Sequence, residues 1–241
     1  MNSLQARWSD RLEEGFKYCL TVGTALMPRS LRTRMVTATH YIQLASWMKN
    51  QGFGFTRFAW TREQLFDALA AEVADRQTLY LEFGVYRGES LRHWSRALRH
   101  PRSELHGFDS FEGLPESGWN WQQGQFDTLG HLPRIEDARV HLHKGWFSDT
   151  LPGFVLPAHE HLVVNLDADL YSSTIFVLRR LATSLQPGTL LYFDDLLAVD
   201  HEPRAIEEFL GESGLVLEPV IALRSLASAA FRVRQGSAPA S

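Results

Sequence analysis

Short apolar runs alternate with amphipathic helical patterns over most of the chain after residue 75. The composition of these runs favours β-strands. Because the strands are separated by helices, we expect an α/β fold with a doubly wound sheet. The linker between the last two runs is too short for a parallel crossover, so the last strand should be antiparallel. Seven strands are predicted, at Leu79–Phe83, Glu104–Phe108, Val140–His143, His161–Leu166, Thr189–Phe193, Leu215–Ile221 and Ala227–Val233.

The amino-terminal part of the chain carries helical patterns instead. The segment His40–Met48 is one example, and Thr61 to Gln64 has the form of a capping box that precedes an apolar helix face. This face should pack on the sheet. We therefore predict a helical extension over residues 1–75 that belongs to the same domain. Its role should be to contact the substrate, to form a lid or to form a dimer interface. The α/β core should cover residues 76–235, and a disordered tail should cover residues 236–241.

Composition and charge narrow the classes of partner. With 24 basic and 28 acidic residues the formal charge is -4, which gives no electrostatic signature of nucleic acid or of an anionic membrane. The single cysteine, Cys19, excludes an intramolecular disulfide and a zinc site built from cysteines. The apolar stretch from Tyr18 to Met27 is too short to span a bilayer. We expect a cytoplasmic protein that binds a small molecule.

Two of the predicted strands end on pairs of aspartates. Alternate side chains of a strand point the same way, so Asp167 and Asp169 should lie on one side. Asp194 and Asp195 follow another strand, and ligands of open α/β sheets bind at the carboxyl ends of strands. Each aspartate alone could simply cap a helix. Four like charges at one mouth are costly unless a metal or a cationic ligand compensates them, which favours a binding site.

A loop with two glycines follows the first predicted strand and opens a helix. Gly84 and Gly88 would let the backbone turn tightly and approach a ligand, and Glu82 at the loop start favours a cationic one. The spacing differs from the dinucleotide fingerprint. Asp109, at the end of the next strand, stands where a ribose diol would be held. The alternative is that the glycines only turn the chain and that Asp109 caps a helix.

With the segment Gly145–Pro152, these motifs resemble the macrocin O-methyltransferase family. Its members are class I S-adenosylmethionine enzymes with a Rossmann-like fold that methylate sugar hydroxyls of macrolide and aminocoumarin natural products. The resemblance implies Asp169 as general base and Mg²⁺, or another divalent cation, on Asp167, Asp194 and Asp195. The chain departs from the common pattern at Glu89, Asn165 and Ala168. The implied cofactor-binding residues are Glu82, Phe83, Gly84, Gly88, Ser90, Asp109, Ser110, Phe111, Gly145, Trp146, Phe147 and Asp167.

The expected function is therefore S-adenosylmethionine- and Mg²⁺-dependent methylation of a hydroxyl on a sugar or sugar-bearing natural product. The expected partners are a hydroxylated, glycosylated acceptor and a second copy in a homodimer, with no nucleic acid and no membrane. Two alternatives remain: a metal-independent methyltransferase of the same fold that uses Asp169 alone, and a non-catalytic cofactor-binding subunit.

Two further features of the sequence have no settled role. The connection from Pro115 to Arg139, with Trp119, Trp121 and Phe126, is either a lid over the pocket or a small satellite core. The histidines show no His-x-x-x-His spacing, so we expect them to be scattered and predict no zinc site. They are His106, His131, His141, His143, His159, His161 and His201.

Overall fold

A computed structural model describes residues 3–118 and 120–235, so Trp119 and the predicted tail at 236–241 lie outside the described residues. The chain divides into two compact units, residues 1–42 and residues 43–241. The first unit contains helix α1 (Ser3–Ala25) and the start of helix α2 (Arg29–Asn50). The helix predicted at His40–Met48 is confirmed as part of α2. In the described residues, no helix is both long and apolar enough to cross a membrane.

The second unit is an α/β sheet with helices between its strands. Its elements are β1 (Phe58–Ala59), α3 (Arg62–Val73), β2 (Thr78–Phe83), α4 (Glu89–Ala97), β3 (Glu104–Asp109), β4 (Val140–Lys144), α5 (Phe147–Thr150), β5 (His161–Leu166), α6 (Tyr171–Leu181), β6 (Leu190–Phe193), α7 (Glu202–Ser213), β7 (Val216–Leu223) and β8 (Ala229–Arg234), with a 3₁₀ turn at Ala182–Ser184. The strand order is β1-β7-β8-β6-β5-β2-β3-β4.

The predicted doubly wound sheet is confirmed. Strand β8 is antiparallel to both β6 and β7, as predicted for the last strand, and the other pairs are parallel. The count of seven strands was wrong, because the sheet has eight within residues 3–118 and 120–235. The additional strand, β1, pairs with β7 through Phe58 and Ala59 only. Two residues are too few to show the alternation by which a strand is recognised in a sequence.

Both faces of the central strands are buried. Along β2, Leu79, Leu81 and Phe83 belong to one apolar cluster, while Tyr80 belongs to the cluster on the other face. Helix α3 contributes Leu65, Phe66, Leu69 and Val73 to that second cluster, as predicted. Continuous apolar runs are therefore favoured in the central strands, because their side chains meet a core on one face of the sheet or the other.

The start of α3 is fixed by the predicted cap. The Thr61 hydroxyl accepts a hydrogen bond from the backbone N–H of Gln64 at 3.3 Å. The side-chain oxygen of Gln64 in turn accepts from the backbone N–H of Trp60 at 3.0 Å. Reciprocal bonds of this kind satisfy amide groups that the first turn leaves free. They set the position of Arg62, the first helical residue.

Candidate active site

The site lies where the order of strands reverses between β5 and β2, the usual ligand position in an open α/β sheet. Just beyond these strands, the backbone of Gly84 meets that of Asp167. A Cβ on Gly84 would lie 1.8 Å from the carbonyl oxygen of Asp167, and φ of Gly84 is +94°. Both the conformation and the contact require glycine here. The glycine-rich loop and the first aspartate strand are thus locked together.

A cavity of about 580 Å³ opens at this point. Its volume is in the range of small-molecule sites. The predicted site residues that line it are Gly84, Ser90, Asp109, Ser110, Trp146, Phe147, Asp167, Asp169 and Asp194. The predicted residues that do not line it are Glu82, Phe83, Gly88, Phe111, Gly145 and Asp195. The cavity therefore brings the expected cofactor side and three of the four aspartates together.

Glu82 is fully buried beneath the loop. Its carboxylate accepts hydrogen bonds from the hydroxyls of Tyr80 at 2.5 Å and Ser90 at 2.6 Å. Burial raises the pKa of Glu82 to about 7, against the opposing effect of these two hydrogen bonds. Its carboxyl group thus ties β2 to the first turn of α4 and has its partners inside the protein.

Asp109 supports the loop while it lines the cavity. Its Oδ2 accepts the backbone N–H groups of Val85 and Tyr86, both at 2.8 Å, and its Oδ1 accepts that of Phe111 at 2.6 Å. A carboxylate offers about four lone-pair sites, so room remains for a ligand hydroxyl. The sequence suggested a ribose anchor or a cap, and the observed bonds show that the loop itself depends on Asp109.

Arg62 joins two of the predicted metal ligands, and the sequence analysis missed it. Its Nη1 lies 3.2 Å from Oδ2 of Asp167 and 3.3 Å from Oδ1 of Asp194. The same Asp194 oxygen also accepts a hydrogen bond from the Tyr192 hydroxyl. Burial lowers the pKa of Arg62, but the carboxylates of Asp194 and Asp167 outweigh it, so the net pKa is raised. Arg62 is thus a fixed cation at the mouth of the cavity.

A signal for Arg62 does exist in the sequence. The first turn of a helix favours acidic residues, because the amide dipoles place partial positive charge there. An arginine at the first position of a well-capped helix works against that preference. An arginine in this position indicates an acidic partner elsewhere in the fold. Here the partners are Asp167 and Asp194.

Asp195 stands apart from the other two predicted ligands. Its backbone N–H donates to Oε2 of Glu202 at 3.0 Å, and Glu202 is fully buried. Burial raises the pKa of Asp195, and its Oδ2 is buried without a hydrogen-bond partner among the described residues. Oxygens of Asp167, Asp194 and Asp195 do not gather as a trio within 4.8 Å in the described structure.

Asp169 has the properties of a proton acceptor. It lines the cavity with a φ of +58°, which is uncommon outside glycine and favours a functional explanation. Burial, followed by the carboxylates of Asp195, Asp194 and Asp109, raises the pKa of Asp169 to about 7. A carboxyl group tuned to this value can exchange protons near neutral pH.

The connection after β3 forms part of the cavity wall. Leu114 and the Gln125 and Gly124 backbone exchange hydrogen bonds at 2.9 Å, so the two arms of the loop are joined. The rings of Trp121 and Phe126 meet edge to face with centroids 5.2 Å apart, and both line the cavity. The aromatic segment therefore covers the site in this structure, and a mobile lid stays a prediction.

Residues 81–196 match the family model described as a methyltransferase domain. Over this segment, slightly less than half of the chain, the protein is similar to that family. The segment contains the glycine-rich loop, Asp109 and all four aspartates of the predicted site. Arg62 precedes the matched segment, so the family match alone does not draw attention to it.

A curated relative supports the resemblance drawn from the sequence. The 8-demethyl-8-(2,3-dimethoxy-alpha-L-rhamnosyl)-tetracenomycin-C 4'-O-methyltransferase of Streptomyces olivaceus is 32% identical over 160 residues. The alignment covers 56% of this chain and 59% of that protein, so it spans well under two thirds of the relative's length. The predicted resemblance to sugar O-methyltransferases is confirmed at this level.

Two solved structures are similar to this chain in fold. The O-methyltransferase NovP has a TM-score of 0.54 and 22% identity, with 73% of this chain and 78% of NovP covered. CalS11, a calicheamicin methyltransferase, has a TM-score of 0.53 and 21% identity, with 86% of this chain and 94% of CalS11 covered. At such identities the likeness shows the fold alone.

Proposed function

We propose that the protein transfers a methyl group from S-adenosylmethionine to a hydroxyl of a sugar or sugar-bearing natural product. One observation carries the proposal: the glycine-rich loop and the carboxylate of Asp169 face the same cavity. The Streptomyces olivaceus relative is named as a 4'-O-methyltransferase of a rhamnosyl tetracenomycin, which supports a sugar-bearing acceptor. The methyltransferase domain supports the cofactor.

The residues of this chain would bind, orient and deprotonate the acceptor. S-adenosylmethionine, when bound, supplies a methyl group on a positively charged sulfur. Asp169 would accept the proton of the acceptor hydroxyl as its oxygen becomes the nucleophile. Gly84, Asp109 and Phe147 would hold the cofactor at the other side of the cavity. Holding the two reactants in contact can supply roughly 7 to 11 kcal/mol of the barrier.

A divalent cation is part of the proposal, and its support is the chemistry of the donor atoms rather than their spacing in this structure. Oxygens of Asp167 and Asp194 already converge on one cationic nitrogen, and Asp195 has a buried oxygen without a partner among the described residues. Carboxylate oxygens are the ligands that Mg²⁺ prefers. These three residues would hold the ion, which would lower the pKa of the acceptor hydroxyl.

Arg62 favours a second candidate, a metal-independent methyltransferase of the same kind. The guanidinium compensates Asp167 and Asp194 from within the chain, as a metal would. In that case Asp169 would act as the base with no ion beside it. The two candidates predict different effects on turnover when metal is removed and when Arg62 is replaced.

The decisive assay follows labelled methyl groups from S-adenosylmethionine to glycosylated acceptors. Under the metal-dependent proposal, exhaustive chelation should stop turnover and added Mg²⁺ should restore it, because the acceptor hydroxyl then lacks its activating ion. Cofactor binding, measured by calorimetry, should survive chelation. Full turnover in the chelated enzyme would support the metal-independent candidate instead.

Arg62→Met provides the matched test of the guanidinium. If a metal is needed, loss of the competing cation should lower the Mg²⁺ concentration for half-maximal turnover by roughly tenfold, about 1.4 kcal/mol. If no metal is needed, the same variant should lose turnover, because two neighbouring carboxylates then lack a counter-ion. Arg62→Lys keeps the charge and serves as control. An unchanged Mg²⁺ dependence together with unchanged turnover would show that Arg62 has neither role.

Asp109→Ala should weaken binding of S-adenosylmethionine and of its demethylated product. The change removes the expected ribose contacts, about 1.5 to 3 kcal/mol if they are charge-assisted, and also the acceptor of three loop N–H groups. Calorimetry gives the affinity. Asp75→Ala, which removes an exposed ion pair with Arg99, is the control and should bind as the wild type does. Equal affinities for the two variants would contradict a binding role of Asp109.

A further inference from the structure

Three histidines that are distant in sequence form a stacked column on one face of β3 and β4. His106 pairs in register with His141 across the two parallel strands. The ring centroid of His106 lies 4.9 Å from that of His141 and 5.2 Å from that of His143. The expectation that the histidines are scattered was wrong for these three, because spacing along the chain does not reveal which strands become neighbours.

A carboxylate completes the group. Glu104 lies two residues before His106 on β3 and therefore shares its face. One ligand atom from each of Glu104, His106 and His141 can be chosen so that all lie within 4.8 Å of one another. Among the described residues, no other three histidine, cysteine or acidic side chains meet this condition. The side chains of Asp167, Asp194 and Asp195, here called the acidic mouth of the cavity, do not meet this distance condition.

The second nitrogen of His106 is also accounted for. Its Nε2 lies 3.3 Å from Oε2 of Glu104, and its Nδ1 lies 2.9 Å from Nε2 of His143. A histidine that binds metal through one nitrogen usually donates its other N–H to a nearby acceptor, which fixes the ring. His143 can be that acceptor. The ring of Phe154 packs on both, with centroids 4.9 Å from His106 and 5.3 Å from His143.

Access to this group is open on one side only. The side chain of His106 is 8% exposed, whereas that of Glu104 is 40% exposed and His141 is an exposed residue. An ion could thus enter from the Glu104 and His141 side and meet a buried ring. Strand β4 is the last in the sheet, so it has a neighbouring strand, β3, on one side only.

We propose that Glu104, His106 and His141 bind one divalent transition-metal ion of the Zn²⁺ type, with His143 orienting His106. Two imidazoles and one carboxylate form a donor set found in zinc sites, and they leave a fourth position for water. Imidazole ligands favour Zn²⁺, Cu²⁺ or Ni²⁺, whereas Mg²⁺ prefers oxygen. The ion would join edge strand β4 to β3. Since β4 leads directly into Trp146 and Phe147, it would steady that wall of the cavity.

Calorimetric titration of the untagged full chain with Zn²⁺, after removal of bound metal by a chelator, tests the proposal. The wild type should bind one equivalent at this site, and any second equivalent held by Asp167, Asp194 and Asp195 should be absent from Asp167→Asn. His141→Gln and Glu104→Gln should each bind at least tenfold more weakly, because each removes one of three ligands. His143→Gln should weaken binding by roughly 10- to 100-fold as the orienting partner. His159→Gln, an exposed histidine outside the group, should bind as the wild type does.

Two further measurements separate this site from misfolding and from the acidic mouth. Zn²⁺ should raise the melting temperature of the wild type but not that of His141→Gln, whereas the two should melt alike without metal. Asp167→Asn should leave the Zn²⁺ affinity of the histidine site unchanged, so this readout is independent of the proposed function. Absence of saturable binding, equal affinity in wild type and both ligand variants, or loss of binding in Asp167→Asn would each overturn the proposal.

Discussion

Asp169→Asn should lower turnover by roughly 100- to 10,000-fold, the usual contribution of a general base. Asparagine keeps the shape of the side chain but cannot take up a proton. Cofactor affinity should be retained, because the loop contacts of Gly84 and Asp109 lie outside the change. Steady-state turnover at saturating acceptor, paired with calorimetry of the demethylated cofactor, measures the two effects separately.

The pH profile gives this prediction a second, independent readout. Burial and the neighbouring carboxylates raise the pKa of Asp169 to about 7, so its basic form accumulates as pH rises through that value. In the metal-independent candidate, wild-type turnover should therefore fall as pH decreases below about 7, whereas a cation on Asp194 and Asp195 would move this fall to lower pH. The residual turnover of Asp169→Asn should lack this dependence, since its side chain does not titrate.

Asp195→Asn is the matched control for the base. It should raise the metal concentration needed for half-maximal turnover, because it alters one proposed ligand and leaves Asp169 in place. If excess Mg²⁺ rescued Asp169→Asn, or if that variant kept near-normal turnover, Asp169 would not be the base. The proton would then leave by way of another group.

Gly84→Ala should destabilise the domain by more than about 4 kcal/mol and remove detectable cofactor binding. The new Cβ would lie 1.8 Å from the carbonyl oxygen of Asp167, and backbone cannot rotate away as a side chain can. Relief requires the ends of β2 and β5 to separate, which opens the site at its centre. Denaturant unfolding and calorimetry of the demethylated cofactor measure the two losses.

Gly188→Ala separates the clash from backbone strain. Gly188 has a similar φ of +99°, but a Cβ there would meet no atom within 4 Å. The free energy of unfolding of this variant should fall only by the cost of a left-handed conformation, about 1 to 2 kcal/mol, and the variant should still bind cofactor. Equal losses in Gly84→Ala and Gly188→Ala would show that strain alone, and not the contact with Asp167, explains the effect.

Local patterns account for what the sequence predicted correctly. The apolar runs gave the sheet and its antiparallel last strand, and the Thr61 cap gave the start of α3. The placement of three of the four aspartates, Asp167, Asp169 and Asp194, at one cavity followed from a general rule about the ends of strands, whereas Asp195 does not line that cavity. Strand β1 escaped notice because its pairing with β7 is tertiary and involves only two residues.

Contacts between distant segments account for what the sequence did not predict. Arg62 and Asp167 are separated by 105 positions, and no local pattern joins them. Asp194 and Asp195 are consecutive and both follow the end of β6, where strand alternation no longer predicts which side chain faces the cavity; only Asp194 lines it. The histidine column depends on β3 and β4 being neighbours, which the strand order determines and the spacing does not.

The buried carboxyl group of Glu82 implies a trade-off between activity and stability. Its pKa rises from 4.5 to about 7 on folding, so between these values the folded domain holds a proton that the unfolded chain releases. By linkage, this group makes the domain progressively less stable as pH increases over that interval. Asp169, however, becomes a base only toward the upper end of the same interval. Under the proposed function, the protein should therefore be most active at a pH where part of its stability has already been lost.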